Sequence, residues 1–113
     1  MTPKQGEIYL VNFPNQPIDS KDRPAIIVSL DIRNKLAEDV IVIPLSTTLR
    51  QAPTHVIIPE GEGNLNYDSM AKCEQITTLH KSYLLRGPLG KKVNNKILRQ
   101  IERAVLRAIG VPI

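Results

Sequence analysis

The stretch Val40 to Thr48, Val-Ile-Val-Ile-Pro-Leu-Ser-Thr-Thr, constrains this chain more than any other. It opens with four consecutive apolar, β-branched residues. A short run of that kind predicts a strand buried on both faces. Pro44 has no backbone N–H to give a ladder and is expected to stop the strand. Ser46, Thr47 and Thr48 come next. A buried strand that ends in hydroxyls is a rigid arm presenting polar atoms at its tip. Taken alone, three such residues more often serve to satisfy the backbone of a turn.

With 113 residues the chain suits one domain, 1–113, with a single modest core. No stretch approaches the ~20 apolar residues of a membrane span, and Met1 to Gln5 lacks the apolar centre of a signal peptide. A lone cysteine, Cys73, has no internal disulfide partner, so the cytoplasm is the expected compartment and no membrane is expected among the partners. The net charge of +4 mildly favours a polyanionic partner such as RNA or DNA. Aromatics are few: Tyr9, Phe13, Tyr67 and Tyr83, with no Trp. That argues against an open base-stacking sheet.

In chain order, Gly6 to Phe13 reads as a first strand. Pro14 to Asp22 is a charged loop rich in turn residues, and loops on rigid scaffolds often carry function. Arg23-Pro24 closes it and begins a second buried strand through Leu30. Asp31 to Asp39 is a polar connector with room for one helical turn, and the Val40 strand follows. His55 to Pro59 is a fourth strand. Ser69 to Ile76 is a fifth, whose alternation puts Met70, Lys72, Glu74 and Ile76 on one face. Thr77 to Leu79 leaves that strand, and Tyr83 to Gly87 is a short sixth. Asn94 or Asn95 caps a final helix with Ile97, Leu98, Ile101, Ala104, Val105 and Ala108 on one side. Gly110 and Pro112 end it. Arg99, Arg103 and Arg107 form a basic stripe on the other side, which most simply faces solvent. About six short strands and one helix predict a mainly β, α+β fold: a small, partly open barrel with the helix packed against it.

The chemistry narrows by subtraction. Two histidines and one cysteine are scattered without metal-ligand spacing, so no metal or other cofactor is expected. Gly61-Glu62-Gly63 carries the wrong charge for a phosphate loop. Cys73 with His55 or His80 makes a poor nucleophile pair, because Cys73 falls mid-strand on the core side. Charged, amide and hydroxyl residues at strand ends remain: Arg23, Ser46, Thr47, Lys72, Glu74 and Gln75. These types suit metal-free RNA cleavage. A base takes the 2′-OH proton, the oxygen attacks the phosphate, an acid protonates the leaving 5′-oxygen, and a cation stabilises the charge on phosphorus.

Four segments, Gly6 to Val11, Arg23 to Ser29, Val42 to Thr47 and Ser69 to Thr78, resemble the MazF/PemK toxins in order and spacing. The resemblance runs over nearly the whole chain, including the terminal helix. It implies an SH3-like barrel, a homodimer, and a sequence-selective endoribonuclease of a type II toxin–antitoxin pair. Such an enzyme cleaves single-stranded RNA, mRNA above all, without metal, leaves 2′,3′-cyclic phosphate and 5′-OH ends, and so inhibits translation. It also implies a cognate antitoxin whose tail fills the RNA groove. By position, Arg23 matches the family's loop arginine, and Ser46 a site usually held by Thr. Lys72 and Glu74 match the paired basic and acidic residues of the PemK branch, read as acid and base. Lys21, Thr47, Thr48, Gln75 and Thr77 are the expected RNA contacts. The loop before Arg23 departs from the pattern, with Ile18 to Asp22 in place of Gly and Glu or Gln, and Thr77 stands where Arg is usual.

On one strand face the Cβ atoms of Lys72 and Glu74 would lie roughly 6–7 Å apart. A phosphate would fit between them, and Lys72 and Arg23 would lower the carboxyl pKa. The plain alternative is a surface ion pair, worth ~0–1 kcal/mol. Two other functions share this architecture. One resembles the gyrase-poisoning CcdB toxins, which act through a C-terminal helix ending in Trp-Gly-Ile, whereas this chain ends Gly110-Val111-Pro112-Ile113. The other is an inactive RNA- or protein-binding module, for which the altered loop speaks.

Overall fold

The computed structural model describes residues 2–14 and 22–113. Lys21 lies outside them. The elements are β1 (Ile8–Val11), β2 (Arg23–Ile27), α1 (Asp31–Leu36), β3 (Asp39–Ser46), β4 (His55–Ile58), β5 (Ser69–Lys72), β6 (Thr77–His80), β7 (Leu84–Arg86) and α2 (Asn95–Ala108). Single 3-10 turns at Glu62–Asn64, Cys73–Gln75 and Lys81–Tyr83 join some of them. The strands form one antiparallel sheet in the order β4-β5-β3-β2-β1-β7, with β6 also on β3. No ladder among the described residues closes it into a ring. The expected partly open barrel is therefore a seven-stranded open sheet carrying the C-terminal helix.

β3 is the hub. It pairs with β2 through Val42–Pro44, with β6 through Asp39–Val42 and with β5 through Leu45–Ser46. Pro44 does not stop the strand, contrary to the sequence expectation. Val28 N donates to Ile41 O, so alternation turns the backbone groups of Ile41 and Ile43 toward β2, and those of Val42 and Pro44 toward the other edge. On that edge β6 ends at Val42 and β5 begins at Leu45. The missing N–H falls in the gap between two partners, where nothing asks for it.

That gap also corrects the fifth strand. β5 ends at Lys72, Cys73–Gln75 form a 3-10 turn, and Thr77 begins β6. The chain must leave one part of the β3 edge and rejoin it further along, and the turn makes that step. The alternation expected through Ile76 breaks at Cys73, so Lys72 and Glu74 do not share a strand face. β6 is a strand where the sequence suggested a departing segment.

The central strands are buried on both faces, as their unbroken apolar runs predict. Ile8, Ile26 and Ile43 point one way, onto Ile97, Leu98, Ile101 and Ala104 of α2. Tyr9, Ala25, Ile27 and Val42 point the other way, onto Leu79 and the half-buried Phe13 and Leu84. The Asn94 Oδ1 accepts from Ile97 N at 2.9 Å and starts α2. Gly110, at φ +89°, ends it: Gly110 N donates to Arg107 O and Val111 N to Leu106 O. β4 is an outer strand of four residues, with Pro53 and Pro59 just beyond its two ends.

A buried polar knot ties the β2–β3 connector to the N-terminus. Asn34 is fully buried in α1. Its side-chain oxygen accepts from Ser29 Oγ, and its amide nitrogen donates to Pro3 O and Ser29 O, each at 3.1 Å. Ser29 Oγ in turn accepts from Ile41 N at 2.9 Å. Asn34→Ala leaves two carbonyls and a hydroxyl short of a partner inside the protein. It should cost about 2–3 kcal/mol, read as a lower urea midpoint with an unchanged denaturant slope.

Candidate active site

β2 begins at Arg23, whose side chain is exposed, with the ring of Pro24 fixing the next φ. Arg23 opens into a cleft of ≈ 250 Å³ shared with Phe13, Pro44, Gln75, Thr77 and Thr78. The Cys73–Gln75 turn explains why Gln75 and Thr77 reach this cleft. By ending β5 it brings the chain back to the β3 edge beside Pro44. Three of the residues singled out from sequence, Arg23, Gln75 and Thr77, thus meet in one polar recess.

The others lie elsewhere. Ser46 ends β3 half-buried, and its Oγ accepts from Thr48 N at 3.1 Å. That is the turn-satisfying role such hydroxyls commonly take, and among the described residues the hydroxyl proton has no acceptor. Thr47 faces a separate cleft of ≈ 640 Å³ with Pro24, Asn64, Tyr67 and Arg86. Thr48 is exposed in the turn. Lys72 is half-buried at the end of β5, opposite His55 in the β4 register, and has no ion-pair partner among the described residues.

Glu74 belongs to a cluster that the sequence reading missed. Its Oε1 accepts from Thr54 Oγ1 at 2.7 Å, and its Oε2 lies 3.1 Å from His55 Nε2. His55 Nδ1 lies 2.6 Å from Arg50 O. Both ring nitrogens therefore face oxygen atoms, one of a backbone carbonyl and one of the Glu74 carboxylate. The available signal was the hairpin register: pairing β4 with β5 sets His55 against the strand end from which Glu74 emerges.

These contacts replace the expected electrostatics. The Glu74 carboxyl is held below its ordinary value. Burial pushes it up, but the hydrogen bonds from Thr54, the turn's own backbone and His55, together with the His55 charge, outweigh that. Neither Lys72 nor Arg23 is among the causes. Next to it the buried Cys73 thiol is pushed up to about 12, by burial first and then by the Glu74 charge. A thiol so placed stays protonated and unreactive at neutral pH.

Comparison with known proteins gives this geometry a context. Residues 4–109 match the family described as PemK-like, MazF-like toxin of type II toxin-antitoxin system. The chain belongs to that family. It is 33% identical over 106 residues to the Endoribonuclease MazF of Staphylococcus saprophyticus, covering 83% of this chain and 87% of the relative. Among solved structures it is similar to an endoribonuclease in complex with its cognate antitoxin from a mycobacterial species. There the TM-score is 0.81 at 26% identity, with 98% of each chain covered. The MazF of Deinococcus radiodurans shares the fold, at TM-score 0.81 and 17% identity over 97% of this chain and 98% of that one. The family's fold thus accounts for the open sheet and terminal helix. Among the described residues no helix is long and apolar enough to cross a membrane.

The Glu74 shift carries a sign. A carboxyl whose folded pKa is depressed adds stability that is fully present above its unfolded value and is lost as pH falls through the folded one. Glu74→Gln should therefore lower the urea midpoint at pH 7. The gap to the parent should close as pH drops below the ordinary glutamate value of 4.5. Midpoints measured across an acid pH series check this.

Proposed function

We propose that this chain is the toxin of a type II toxin–antitoxin pair, an endoribonuclease that cuts single-stranded RNA, mRNA above all, in the cytoplasm. The observation that carries the proposal is the meeting of Arg23, Gln75 and Thr77 in one cleft, in a chain that matches the toxin family from residue 4 to residue 109. Similarity to an endoribonuclease seen with its cognate antitoxin supports an antitoxin peptide as the second occupant of that groove.

The reaction transfers the phosphate within the RNA. The 2′-oxygen loses its proton and attacks phosphorus, the bond to the 5′-oxygen breaks, and that oxygen gains a proton. The products are a 2′,3′-cyclic phosphate and a 5′-OH. Arg23 is the group for the charge that gathers on phosphorus. Its guanidinium is always ionised and presents a planar fork of donors. The Ser46 hydroxyl proton is free for a phosphate oxygen, and Lys72 is the candidate acid for the leaving oxygen. Lys21, Thr47, Thr48, Gln75 and Thr77 are the proposed RNA contacts.

Glu74 stays ionised and keeps lone pairs beyond those used by Thr54 and His55. A lowered pKa makes it a weaker base, because proton transfer is best served by a group that titrates near the working pH. Its contacts suit a positioning residue that fixes the turn leading into the cleft.

Arg23→Ala should lower the single-turnover cleavage rate by ~10²–10³-fold, the scale of one lost donor to a developing charge, with the fold intact because the residue is exposed. Glu74→Gln separates two roles. A base loses at least about tenfold in rate with RNA binding kept, whereas a positioning residue loses rate in step with the stability of the turn. Assays in EDTA with a long RNA test the metal-free reaction. Parent-like cleavage by Arg23→Ala would move the site elsewhere.

The proposed assembly is a homodimer. An apolar recess of ≈ 390 Å³ between Val28, Ile76, Leu98, Ile101, Val105 and Leu106 lies open on the α2 side. Nearby, Leu106 and Ile109 are exposed. Sedimentation at micromolar concentration should give twice the chain mass, and Leu106→Asp should shift it to monomer.

A further inference from the structure

The chain carries 15 basic and 11 acidic residues. Six of the basic ones, Lys91, Lys92, Lys96, Arg99, Arg103 and Arg107, fall in or just before α2, with Glu102 the one acidic residue among them. The remainder of the chain is close to neutral, so the positive excess of the protein is gathered on α2 and the few residues before it. It is also gathered on one side. At 3.6 residues per turn, Lys96, Arg99, Arg103 and Arg107 lie within a strip less than a quarter of the helix circumference wide. All four are exposed. The strip faces away from the buried Ile101, and its Arg99 edge borders the exposed Leu106, which lines the apolar recess.

The strip is little neutralised. Glu102 reaches Arg99 at 3.1 Å, an exposed pair of small worth. Lys96 and Arg103 have no hydrogen-bond or ion-pair partner among the described residues. Arg107 Nη1 donates to Pro53 O at 3.4 Å. That contact sets where the strip leads. Thr54, the next residue, bonds Glu74, and Gln75 after it opens into the Arg23 cleft. A path thus runs from the cleft, over the 73–75 turn and residues 53–54, onto the helix.

We propose that the outer face of α2 is a second RNA-binding surface. It holds the phosphates of the strand that runs past the cleft, by charge and without reading bases. This rests on the ribonuclease reading for its substrate, though not for the binding itself. The four cations span about 16 Å at ~1.5 Å per residue. At ~3.4 Å per nucleotide of stacked strand that is room for about five phosphates. Such a surface raises affinity for long RNA over short and makes that affinity salt-dependent.

The test compares the parent with Lys96→Gln/Arg99→Gln/Arg103→Gln/Arg107→Gln, exposed changes to a good helix former, and with a triple variant that keeps Arg107 and its Pro53 contact. Thermal melts establish that each variant is folded. The probes are a long and a short 2′-O-methyl RNA, which cannot form the attacking oxyanion, titrated over a salt series. Each lost phosphate contact should flatten the log affinity against log salt by ~0.7. The quadruple variant should therefore lose a slope of about 3 on the long RNA, with binding at least about tenfold weaker at low salt. The triple variant should lose about three-quarters of that slope. Binding of the short RNA, and cleavage of a short all-ribose substrate, should not change.

An unchanged slope on the long RNA makes the strip a solvated face and overturns the proposal. So does an equal loss on short and long RNA, which would put these cations inside the cleavage groove. Unchanged RNA binding with lost binding of poly-glutamate would assign the strip to an acidic protein, and also overturns it. If the parent binds long RNA with the expected slope loss in the variant but cuts none, the ribonuclease reading fails and the surface stands.

Discussion

β3 has two edges and three partners. One edge is given to β2, and β5 and β6 must divide the other. Two strands that share an edge need a joint between them, and here the joint lies where the shared strand has no N–H to offer. Pro44 supplies that place, and the Cys73–Gln75 turn is the joint. The arrangement around the candidate site follows from it. The turn buries Cys73, throws Glu74 outward to Thr54 and His55, and returns Gln75 and Thr77 to the cleft beside Arg23. A residue that reads as a defect in a strand is where the sheet changes partner.

Much of this was legible in the sequence because it depends on local pattern. The apolar runs at Ala25–Val28 and Val40–Ile43 mark strands with two buried faces, and both cores sit where those runs put them. The spacing of Ile97, Leu98, Ile101 and Ala104, with Asn94 before and Gly110 after, marks α2 closely. What failed was alternation carried too far. Ser69 to Ile76 alternates well enough for a strand, and nothing local says that the ladder partner runs out at Lys72. Partner exchange is a property of the sheet, and no window on one strand contains it. Glu74 therefore came out on the wrong face, while Arg23, Gln75 and Thr77, all singled out from the sequence, line one cleft. His55 was passed over because its partner is nineteen residues away and becomes a neighbour only through the β4–β5 register.

The charges are organised by the same frame. The sheet interior holds few polar groups: Ser29, Asn34 and Ser69 are buried, and each finds hydrogen-bond partners. Carboxylates are spread along the chain, whereas six of the 15 cations fall in or just before α2 with Glu102 the one acidic residue among them. Because α2 packs on β4 and on the 73–75 turn, its charge is held at a fixed place relative to the cleft. A potential fixed in this way acts on the approach and retention of a polyanion, while the cleft acts on the bond that breaks.

The outer strand β4 has a consequence of another kind. An unpaired strand edge is a template on which a second chain can add its own strand, and a protein with Ile57 exposed there invites that growth. Pro53 and Pro59 bracket the four residues, and neither can donate to an incoming neighbour. The segment is too short to nucleate a stack, and it cannot lengthen in either direction without meeting a residue that breaks the pattern. The two prolines thus limit growth along the β4 edge, one of the two outer edges that a closed barrel would not have.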